Sequence, residues 1–434
     1  MILPENTLES ARQWDAQDPL NAFRGQFLIP KVEQQPIIYF TGNSLGLQPA
    51  DTEAAIKREL EDWARFGVEG HFHARHPWFS YHERFAAGAG SLVGGRLEEV
   101  VLMNQLTTNL HFLLVSFYRP KGKRVKVLTE HRPFPSDTYA LASQIAFHGL
   151  DPKECLVEMQ PREGEHNLRT EDILAKVHEL GDELALVLFG GVNYFTGQAF
   201  HMEAITAKAH EAGAVAGFDL AHAAGNIPLQ LHDWNVDFAC WCTYKYLNSG
   251  PGSVGGAFVH ERHLKSDLPR LAGWWGHDKK TRFQMGPAFS AMQTAEGWQV
   301  SNAPVFNMVV HSVALAQFVQ ARMDRLRTKS LQLTGYAEAI INGLTEKHQA
   351  KLEIITPKDP GQRGCQLSIL AHGKGKGIHA RLTERAVSVD WRESSPGSAT
   401  GAGVIRMAPV PMYNSFEDVF RFGEILKECM GIGS

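Results

Sequence analysis

Short apolar runs alternate with stretches of helical periodicity from about residue 50 onward, and this alternation limits the possible folds more than any other feature. Residues 51–66 predict a first helix, because their apolar side chains recur on one helical face. The strand candidates are residues 100–103, 125–129, 155–159, 184–189, 214–219, 236–243 and 253–260, and the helix candidates between them include 107–117, 137–148 and 203–212. Apolar strands separated by helices are typical of an α/β protein with a large, mainly parallel sheet.

The pattern changes after about residue 305. Two long helical stretches, residues 306–327 and 331–347, precede shorter strands and helices that continue to the end of the 434-residue chain. We therefore predict a large domain at residues 51–305 and a smaller C-terminal α/β domain at residues 306–434. Residues 1–50 are predicted to form an N-terminal arm that contributes to the smaller domain.

The charge balance and the cysteine count narrow the classes of function. Lysine plus arginine total 43 against 47 for aspartate plus glutamate, and this net charge of −4 gives no basic surplus for binding nucleic acid. No apolar run approaches the roughly 18–20 residues that span a bilayer, and the first residues lack the basic stretch and apolar core of a secretion signal. Five cysteines are an odd and sparse set for a disulfide framework. We expect a cytoplasmic protein with neither a nucleic-acid nor a membrane partner.

A lysine follows one of the most apolar strand candidates. The segment VDFACWCTYKYLNSGPG, residues 236–252, leads from a strand through Tyr244 and Lys245 into a glycine-rich turn. Ligands of α/β sheets bind where strands end. A lysine amine that loses its proton there can condense with an aldehyde, which is how lysine binds pyridoxal phosphate. A solvated or salt-bridged lysine is the alternative.

Asp219 ends another apolar strand candidate, and His222 follows it closely. A carboxylate at this place can keep a pyridine nitrogen protonated, which maintains the ring as an electron sink. His222 could order that carboxylate or contact the cofactor. The alternative role for Asp219 is to cap a helix.

Two predicted helix starts could bind a phosphate. The segment NQLTTN at residues 104–109 offers backbone N–H groups and the Thr107 hydroxyl, and FPSD at residues 134–137 offers Ser136 after Pro135. Phe134 adds a flat face on which a ring could stack. Ordinary helix capping is the alternative for each hydroxyl.

Nine short motifs are spread over nearly the whole chain. They are YFTGNSLG at 39–46, LT at 106–107, FPSD at 134–137, GFDLAH at 217–222, LHDWNVDFACWC at 231–242, YKYLN at 244–248, GWWGH at 273–277, SN at 301–302 and VIRMAPVP at 404–411. Together they resemble the kynureninases, pyridoxal-phosphate enzymes with the aspartate aminotransferase fold. The resemblance implies fold type I, with a large sheet domain covered by helices and a smaller C-terminal domain.

The resemblance also implies a role for each matching residue. Lys245 would bind the cofactor's aldehyde, Asp219 would pair with its pyridine nitrogen, and Phe134 would lie against its ring. Lys245, Asp219 and Tyr244 are the implied catalytic residues, and Tyr244 is either a proton donor or a phosphate ligand. The other residues around the cofactor would be Leu106, Thr107, Pro135, Ser136, Asp137, His222, Trp274 and Asn302, with Trp274 and Asn302 expected from a partner subunit.

The substrate side of the implied site has its own residues. Arg406 would bind the substrate carboxylate, and its planar guanidinium suits that task. The positions near the rest of the substrate are His71, Ser301, Asn302 and Asn43. Gly190 stands where some relatives carry serine, so a side-chain contact is lost there.

The implied reaction is hydrolysis of L-kynurenine or 3-hydroxy-L-kynurenine to an anthranilate and L-alanine, in tryptophan catabolism and NAD biosynthesis. The resemblance also implies a homodimer with its active site at the subunit interface. An aminotransferase or a cysteine desulfurase on the same fold is the main alternative, and a binding protein without a cofactor is another. The histidine-rich residues 71–82 could be metal ligands, but the pyridoxal-phosphate interpretation needs no metal and we predict none.

Overall fold

The computed structural model describes residues 3–348, 352–372, 375–393 and 403–432. The α-helices are α1 Leu8–Gln17, α2 Asn21–Arg24, α3 Thr52–Phe66, α4 Gly70–His73, α5 Ala86–Val93, α6 Leu106–Phe117, α7 Pro135–Phe147, α8 Pro152–Cys155, α9 Thr170–Leu180, α10 Met202–Glu211, α11 Glu261–Leu264, α12 Val305–Ala321, α13 Met323–His348, α14 Gly375–Glu384 and α15 Phe416–Cys429. The strands are β1 Phe27–Leu28, β2 Lys31–Val32, β3 Gln35–Pro36, β4 Ile38–Tyr39, β5 Gln48–Pro49, β6 Val100–Leu102, β7 Lys126–Thr129, β8 Leu156–Glu158, β9 Leu184–Gly190, β10 Val215–Asp219, β11 Phe238–Cys242, β12 Gly255–Val259, β13 Leu352–Ile354, β14 Leu367–Ala371, β15 Val387–Ser388, β16 Asp390–Glu393 and β17 Gly403–Met407.

The large sheet contains seven strands of the described chain, in the order β6-β12-β11-β10-β9-β7-β8. Neighbouring strands from β11 to β8 pair in parallel, whereas β12 is antiparallel to both β11 and β6. Every residue of β9, β11 and β12 is buried, as expected for strands covered on both faces. Each strand predicted from an apolar run lies within two residues of an observed one at both ends. The predicted α/β architecture is confirmed.

A second, antiparallel sheet has the order β13-β14-β17-β16. The N-terminal segment contacts this C-terminal region, because β4 pairs in parallel with β15 and the Trp14 ring of α1 packs edge-on against Phe416 of α15 at 5.3 Å. A buried ion pair of 2.7 Å also joins Lys329 of α13 to Asp18. The predicted domain boundaries at residues 50 and 305 stay a prediction.

The two long C-terminal helices meet at a different residue from the one predicted. The sequence predicts a break between residues 327 and 331, but α12 ends at Ala321 and α13 begins at Met323. Arg322 between them has a φ of 67°, a left-handed conformation that interrupts the helical backbone. No glycine or proline stands at this position, and the apolar pattern continues across it, so the sequence does not show where the helix breaks.

The carboxyl ends of the parallel strands meet at one edge of the large sheet. Glu130 directly follows β7, Gly190 ends β9, Asp219 ends β10, and Lys245 lies three residues beyond β11. Ligands of open α/β sheets bind at this edge. Among the described helices, none is long and apolar enough to cross a membrane.

Candidate active site

A cavity with an empty volume of about 520 Å³ opens at the carboxyl edge of the large sheet. The residues that line it are Leu106, Thr107, Glu130, Phe134, Ser136, Asp137, Gly190, Val192, Tyr194, Asp219, Ala221, His222, Tyr244 and Lys245. Strand ends β7, β9, β10 and β11 supply its floor, and the first turns of α6 and α7 supply its walls. The fold therefore gathers chemically reactive side chains that are far apart in the sequence.

Lys245 is the cationic side chain among the residues that line this cavity. It is 9% exposed, and its Nζ lies 3.2 Å from His222 Nε2. The same nitrogen is 5.5 Å from the centre of the Phe134 ring and 5.8 Å from that of Tyr244. Two aromatic rings and an imidazole therefore lie next to the amine, which is buried instead of exposed to solvent like an ordinary surface lysine.

The protonation state of His222 follows from its surroundings. Burial, with the nearby charge of Lys245, holds the pKa of His222 well below its usual value, so the ring is neutral. Its Nε2 then accepts a hydrogen bond from Lys245, and the proton sits on Nδ1. That buried Nδ1 has no hydrogen-bond partner among the described residues.

Asp137 and Asp219 form a buried pair of carboxyl groups in the same cavity as the lysine. Burial raises the pKa of Asp137 well above its usual value, and the charge of Asp219 raises it further. Burial also raises the pKa of Asp219. Two interactions oppose this rise: the charge of Lys245, and the Ala221 N–H, which donates to Asp219 at 2.7 Å. Asp137 is therefore the protonated member and Asp219 the more acidic one.

Two helix N-termini lie open at the cavity wall. The N-cap residue of α6 is Gln105 and that of α7 is Phe134, and neither side chain caps its helix. Leu106 and Thr107 begin α6, while Pro135 and Ser136 begin α7. Free N–H groups at helix N-termini favour an anion.

Two aromatic residues complete the cavity. The Phe134 ring is 41% exposed and packs edge-on against Tyr194 at 5.3 Å, which leaves one face free for a flat ligand. Burial raises the pKa of Tyr244 far above its usual value, so its phenol keeps its proton. Tyr244 can therefore donate a hydrogen bond or a proton at any physiological pH.

Arg406 lies outside the residues that line the cavity but directly behind one of them. It is 2% exposed, its Nη1 donates to the carbonyl of Tyr194 at 2.6 Å, and its Nη2 is bonded to Asp390. Its Nε has no partner among the described residues. Asn43, also buried, donates to Gln366 at 2.9 Å, and Gln366 donates in turn to the Tyr194 carbonyl at 3.0 Å.

Four other predicted site residues are not brought to the cavity of this single chain. His71 is bonded through Nδ1 to the Val68 carbonyl at 2.9 Å, and the remaining three residues, Trp274, Ser301 and Asn302, are exposed. Pro135 begins α7 but does not line the cavity either.

These four residues share one region of the surface. A row of aromatic rings, here called the aromatic row, consists of Phe72, Phe79, Phe283 and Trp274, with successive ring centres 5.9, 5.4 and 5.5 Å apart. It links α4, which carries His71, to Trp274. The backbone before Trp274 also packs closely on Val300, which precedes Ser301.

The histidine-rich segment 71–82 is the alternative metal site that the sequence offers. His76 Nε2 is 3.2 Å from the guanidinium of Arg84, and His82 pairs with Glu296 at 2.7 Å. Glu296 is bonded at the same time to the ammonium of Lys279, at 2.8 Å. His76 and His82 thus have different protein partners. The ligand atoms of His82, Glu83 and Glu296 lie within 4.8 Å of one another, but the Lys279 ammonium pairs with both carboxylates. That the site needs no metal stays a prediction.

Sequence reasoning missed Glu130, Val192, Tyr194 and Ala221, all of which line the cavity. Glu130 directly follows β7 just as Asp219 ends β10, and this repeated position of an acid at a strand end was the available signal. Val192 and Tyr194 follow β9 in a turn whose path into the site depends on the tertiary fold.

The side chains present fit pyridoxal phosphate. Uncapped helix N-termini suit its phosphate, a free aromatic face suits its ring, and Asp219 suits a protonated ring nitrogen. Two buried polar atoms that line the cavity, His222 Nδ1 and Asp137 Oδ1, lack partners among the described residues. Buried polar atoms without partners are costly, and a bound polar ligand would satisfy them.

Comparisons with known proteins agree with this donor set. The sequence profile of the kynureninase C-terminal domain matches residues 326–426. A kynureninase from Myxococcus xanthus is 52% identical over 425 residues, which cover 98% of this chain and 97% of the relative. A kynureninase from Flavobacterium johnsoniae is also 52% identical over 425 residues, which cover 98% of both chains. The chain belongs to the kynureninase family.

Solved structures with the same fold are more distant in sequence from this kynureninase-family chain. The cysteine desulfurase CsdA from Escherichia coli has a TM-score of 0.76 at 16% identity, with coverage of 96% of this chain and 99% of that one. A variant of the enzyme C-DES, with glycine covalently linked to its PLP cofactor, also has a TM-score of 0.76 at 16% identity, and covers 94% and 99%. These likenesses confirm the predicted fold type I.

Proposed function

We propose that the protein hydrolyses the Cβ–Cγ bond of L-kynurenine, or of its 3-hydroxy form, to an anthranilate and L-alanine with pyridoxal phosphate as cofactor. One observation carries the proposal: Lys245 Nζ lies 3.2 Å from a neutral His222 in a cavity that also contains the buried Asp137–Asp219 pair. The kynureninase relatives, at 52% identity over almost the full chain, support the choice of substrate.

The residues that hold the cofactor follow from the cavity. Thr107, Ser136 and the free N–H groups of α6 and α7 would bind its phosphate, Asp219 its ring nitrogen, and Phe134 one face of its ring. Bound pyridoxal phosphate supplies an electron sink for the bonds at the substrate's Cα.

Lys245 performs the proton transfers in this scheme. Its amine removes the proton from the substrate's Cα, and His222 keeps the amine oriented by accepting its hydrogen bond. Water then adds to the Cγ carbonyl, and the Cβ–Cγ bond breaks. The oxygen of that water remains in the carboxyl group of the anthranilate. A proton adds to Cβ, and the proton taken from Cα is replaced there, which gives alanine.

Arg406 and Tyr244 complete the set of roles. The Nε of Arg406, which has no partner among the described residues, would bind the substrate carboxylate, since Asp390 and Tyr194 occupy only part of the arginine's donor set. Tyr244 keeps its proton because burial raises its pKa, so its O–H serves as a proton donor or as a phosphate ligand.

We further propose that the enzyme acts in the cytoplasm as a homodimer with the active site at the subunit interface. The aromatic row and the exposed Phe306, next to the Trp63 ring at 6.0 Å, support an apolar contact surface. His71, Trp274, Ser301 and Asn302 lie outside the cavity of their own chain, and a partner subunit would bring them to it. Light scattering is expected to give about twice the chain mass of 48.2 kDa, and a monomer mass would contradict the dimer.

An aminotransferase or a desulfurase on the same fold makes different predictions. All five cysteines are buried, and burial raises the pKa of each thiol, so none offers an exposed nucleophile for desulfuration. The deciding experiment incubates the cofactor-loaded protein with L-kynurenine in the presence and absence of a keto acid. We expect alanine and anthranilate without keto acid, whereas keto-acid-dependent amino transfer would refute the proposal.

A further inference from the structure

Glu130 is a buried acid in the cavity wall to which the reaction scheme gives no role. It directly follows β7 and is 3% exposed. Its two carboxyl oxygens lie 2.9 and 3.1 Å from the backbone N–H of Gly190, which donates to them. The Thr129 hydroxyl donates a longer, weaker hydrogen bond to Glu130 Oε2, at 3.4 Å.

The neighbouring strand makes room for this carboxyl group. A Cβ atom at Gly190 would lie 2.9 Å from Glu130 Oε1, closer than such contacts normally come. Gly190 is also the register partner of Asp219 in the β9–β10 pairing. Glu130, Gly190 and Asp219 therefore stand on three successive strands at the same edge of the sheet.

Besides the phenols of Tyr194 and Tyr244, four titratable groups line the same cavity as Glu130: Asp137 on α7, Asp219 at the end of β10, His222 in the turn after it, and Lys245 after β11. His222 is neutral, so one ammonium stands among three buried carboxyl groups. Burial raises the pKa of Glu130 to about 7, and the charge of Asp219 adds to this while the Gly190 N–H opposes it. Three neighbouring buried carboxyl groups cannot all ionise at low cost.

We propose that Glu130 is a positioning residue for the cofactor's ring nitrogen. It acts through the Asp137–Asp219 pair as a third acid, because its negative charge strengthens the interaction of Asp219 with a cationic ring. The inference rests on the proposed function, because it assumes that pyridoxal phosphate binds in this cavity. Uncharged Glu130 leaves Asp219 to hold the ring nitrogen alone. Ionised Glu130 adds one negative charge near Asp219, with Gly190 of β9 between them, and tightens binding.

The test measures the Kd of pyridoxal phosphate for cofactor-free protein from pH 5.5 to 8.5, for wild type and Glu130→Gln. Glutamine has nearly the shape of a protonated glutamate and cannot ionise. We expect equal Kd values near pH 5.5 and a Glu130→Gln Kd about tenfold higher at pH 8.5, the change expected for roughly one pKa unit of interaction. A ratio of the two Kd values that is constant across pH would overturn the inference.

Glu158→Gln is the matched control, since Glu158 ends the adjacent strand β8 at the same edge but is exposed and does not line the cavity. The Kd of pyridoxal phosphate for Glu158→Gln protein is expected to equal that for wild type at every pH. A ratio of variant to wild-type Kd that changes with pH, like that of Glu130→Gln, would overturn the specific role of Glu130.

A second variant covers the case in which Glu130→Gln fails to fold. Gly190→Ala leaves Glu130 in place but displaces its carboxyl group from the backbone N–H of residue 190. This variant should shift the midpoint, the pH at which the Kd of pyridoxal phosphate changes in the wild-type protein. An unshifted midpoint would overturn the inference. Wild-type protein that binds no pyridoxal phosphate would refute the proposed function itself, whereas normal binding with a flat Kd ratio would refute only the role of Glu130.

Discussion

Arg406 and Asp390 face each other across the β16–β17 pairing, and the guanidinium of one is bonded to the carboxylate of the other. Although burial acts in the opposite direction, the charge of Arg406 lowers the pKa of Asp390. Asp390 also accepts the Ser44 hydroxyl at 2.8 Å, which ties the pair to the N-terminal arm. The plane of the guanidinium is therefore fixed before any substrate carboxylate arrives.

Replacement of Asp390 by asparagine should make the orientation of the Arg406 guanidinium less fixed. We expect the KM for kynurenine to rise about tenfold while kcat changes little, because one charge-assisted hydrogen bond that orients Arg406 is lost. Steady-state kinetics of the cofactor-loaded variant measure both constants. Glu393→Gln, at the exposed end of the same strand, is the control and should leave KM unchanged. A fall in kcat with constant KM would contradict an orienting role.

Phe134 should contribute to cofactor affinity through its exposed ring face. Phe134→Leu is expected to weaken binding of pyridoxal phosphate about three- to tenfold, because an aromatic stacking contact is worth roughly 0.5–1.5 kcal/mol. Equilibrium titration of cofactor-free protein measures the effect. Phe147→Leu, at the other end of α7 and 82% exposed, should bind like wild type. Equal losses in both variants would mean that the helix, not the stacking face, was disturbed.

Thr107 should act on the phosphate alone. Thr107→Ala is expected to lower the affinity for pyridoxal phosphate roughly three- to tenfold, the value of one hydrogen bond, and to leave the affinity for pyridoxal unchanged. Thr108→Ala is the control, because Thr108 is the adjacent exposed residue and does not line the cavity. Parallel losses for both ligands would place Thr107 away from the phosphate.

The sequence predicts those parts of the fold and site whose signal is local. Apolar runs locate the seven strands of the large sheet to within two residues. The acid or lysine at the end of such a strand lies at the sheet edge because parallel strands end together. The break at Arg322 has no local signal, since neither glycine nor proline marks it. The pairing of Arg406 with Asp390 depends on strand register, which sequence spacing alone does not give.

Glu130 and Tyr194 show the same limit within the site. Glu130 lines the cavity because β7 lies next to β9, whose last residue, Gly190, leaves space for its carboxyl group. Tyr194 enters through a turn that is fixed by the Asn193 side chain, which accepts the N–H groups of Phe195 and Thr196 at 3.0 Å. Both placements are tertiary, so neither follows from residue type and spacing.

Acid stability should depend on Glu296. Although burial acts in the opposite direction, hydrogen bonds from His82 and Lys279 lower the pKa of Glu296 to about 2. A depressed carboxyl pKa contributes stability above the unfolded value near 4.5, and that contribution is lost as the pH falls toward 2. We expect Glu296→Gln to lower the free energy of unfolding by about 2–3 kcal/mol at pH 7 and by little near pH 2.

Denaturant unfolding at several pH values measures this difference. Glu83→Gln is the control, because Glu83 is exposed and also pairs with Lys279; it should cost less than about 1 kcal/mol. A Glu296→Gln difference that does not shrink with falling pH would show that the effect is not electrostatic.

The most direct test of the central claim is kynurenine turnover by Lys245→Ala protein loaded with pyridoxal phosphate. Lys176 of α9, which is half-buried, pairs with Glu179 and does not line the cavity, supplies the control variant Lys176→Ala. We predict equimolar anthranilate and alanine from wild type and Lys176→Ala, and a loss of at least about 10²- to 10⁴-fold in kcat for Lys245→Ala. Lys245→Ala protein that still released anthranilate and alanine at the wild-type rate would contradict the account.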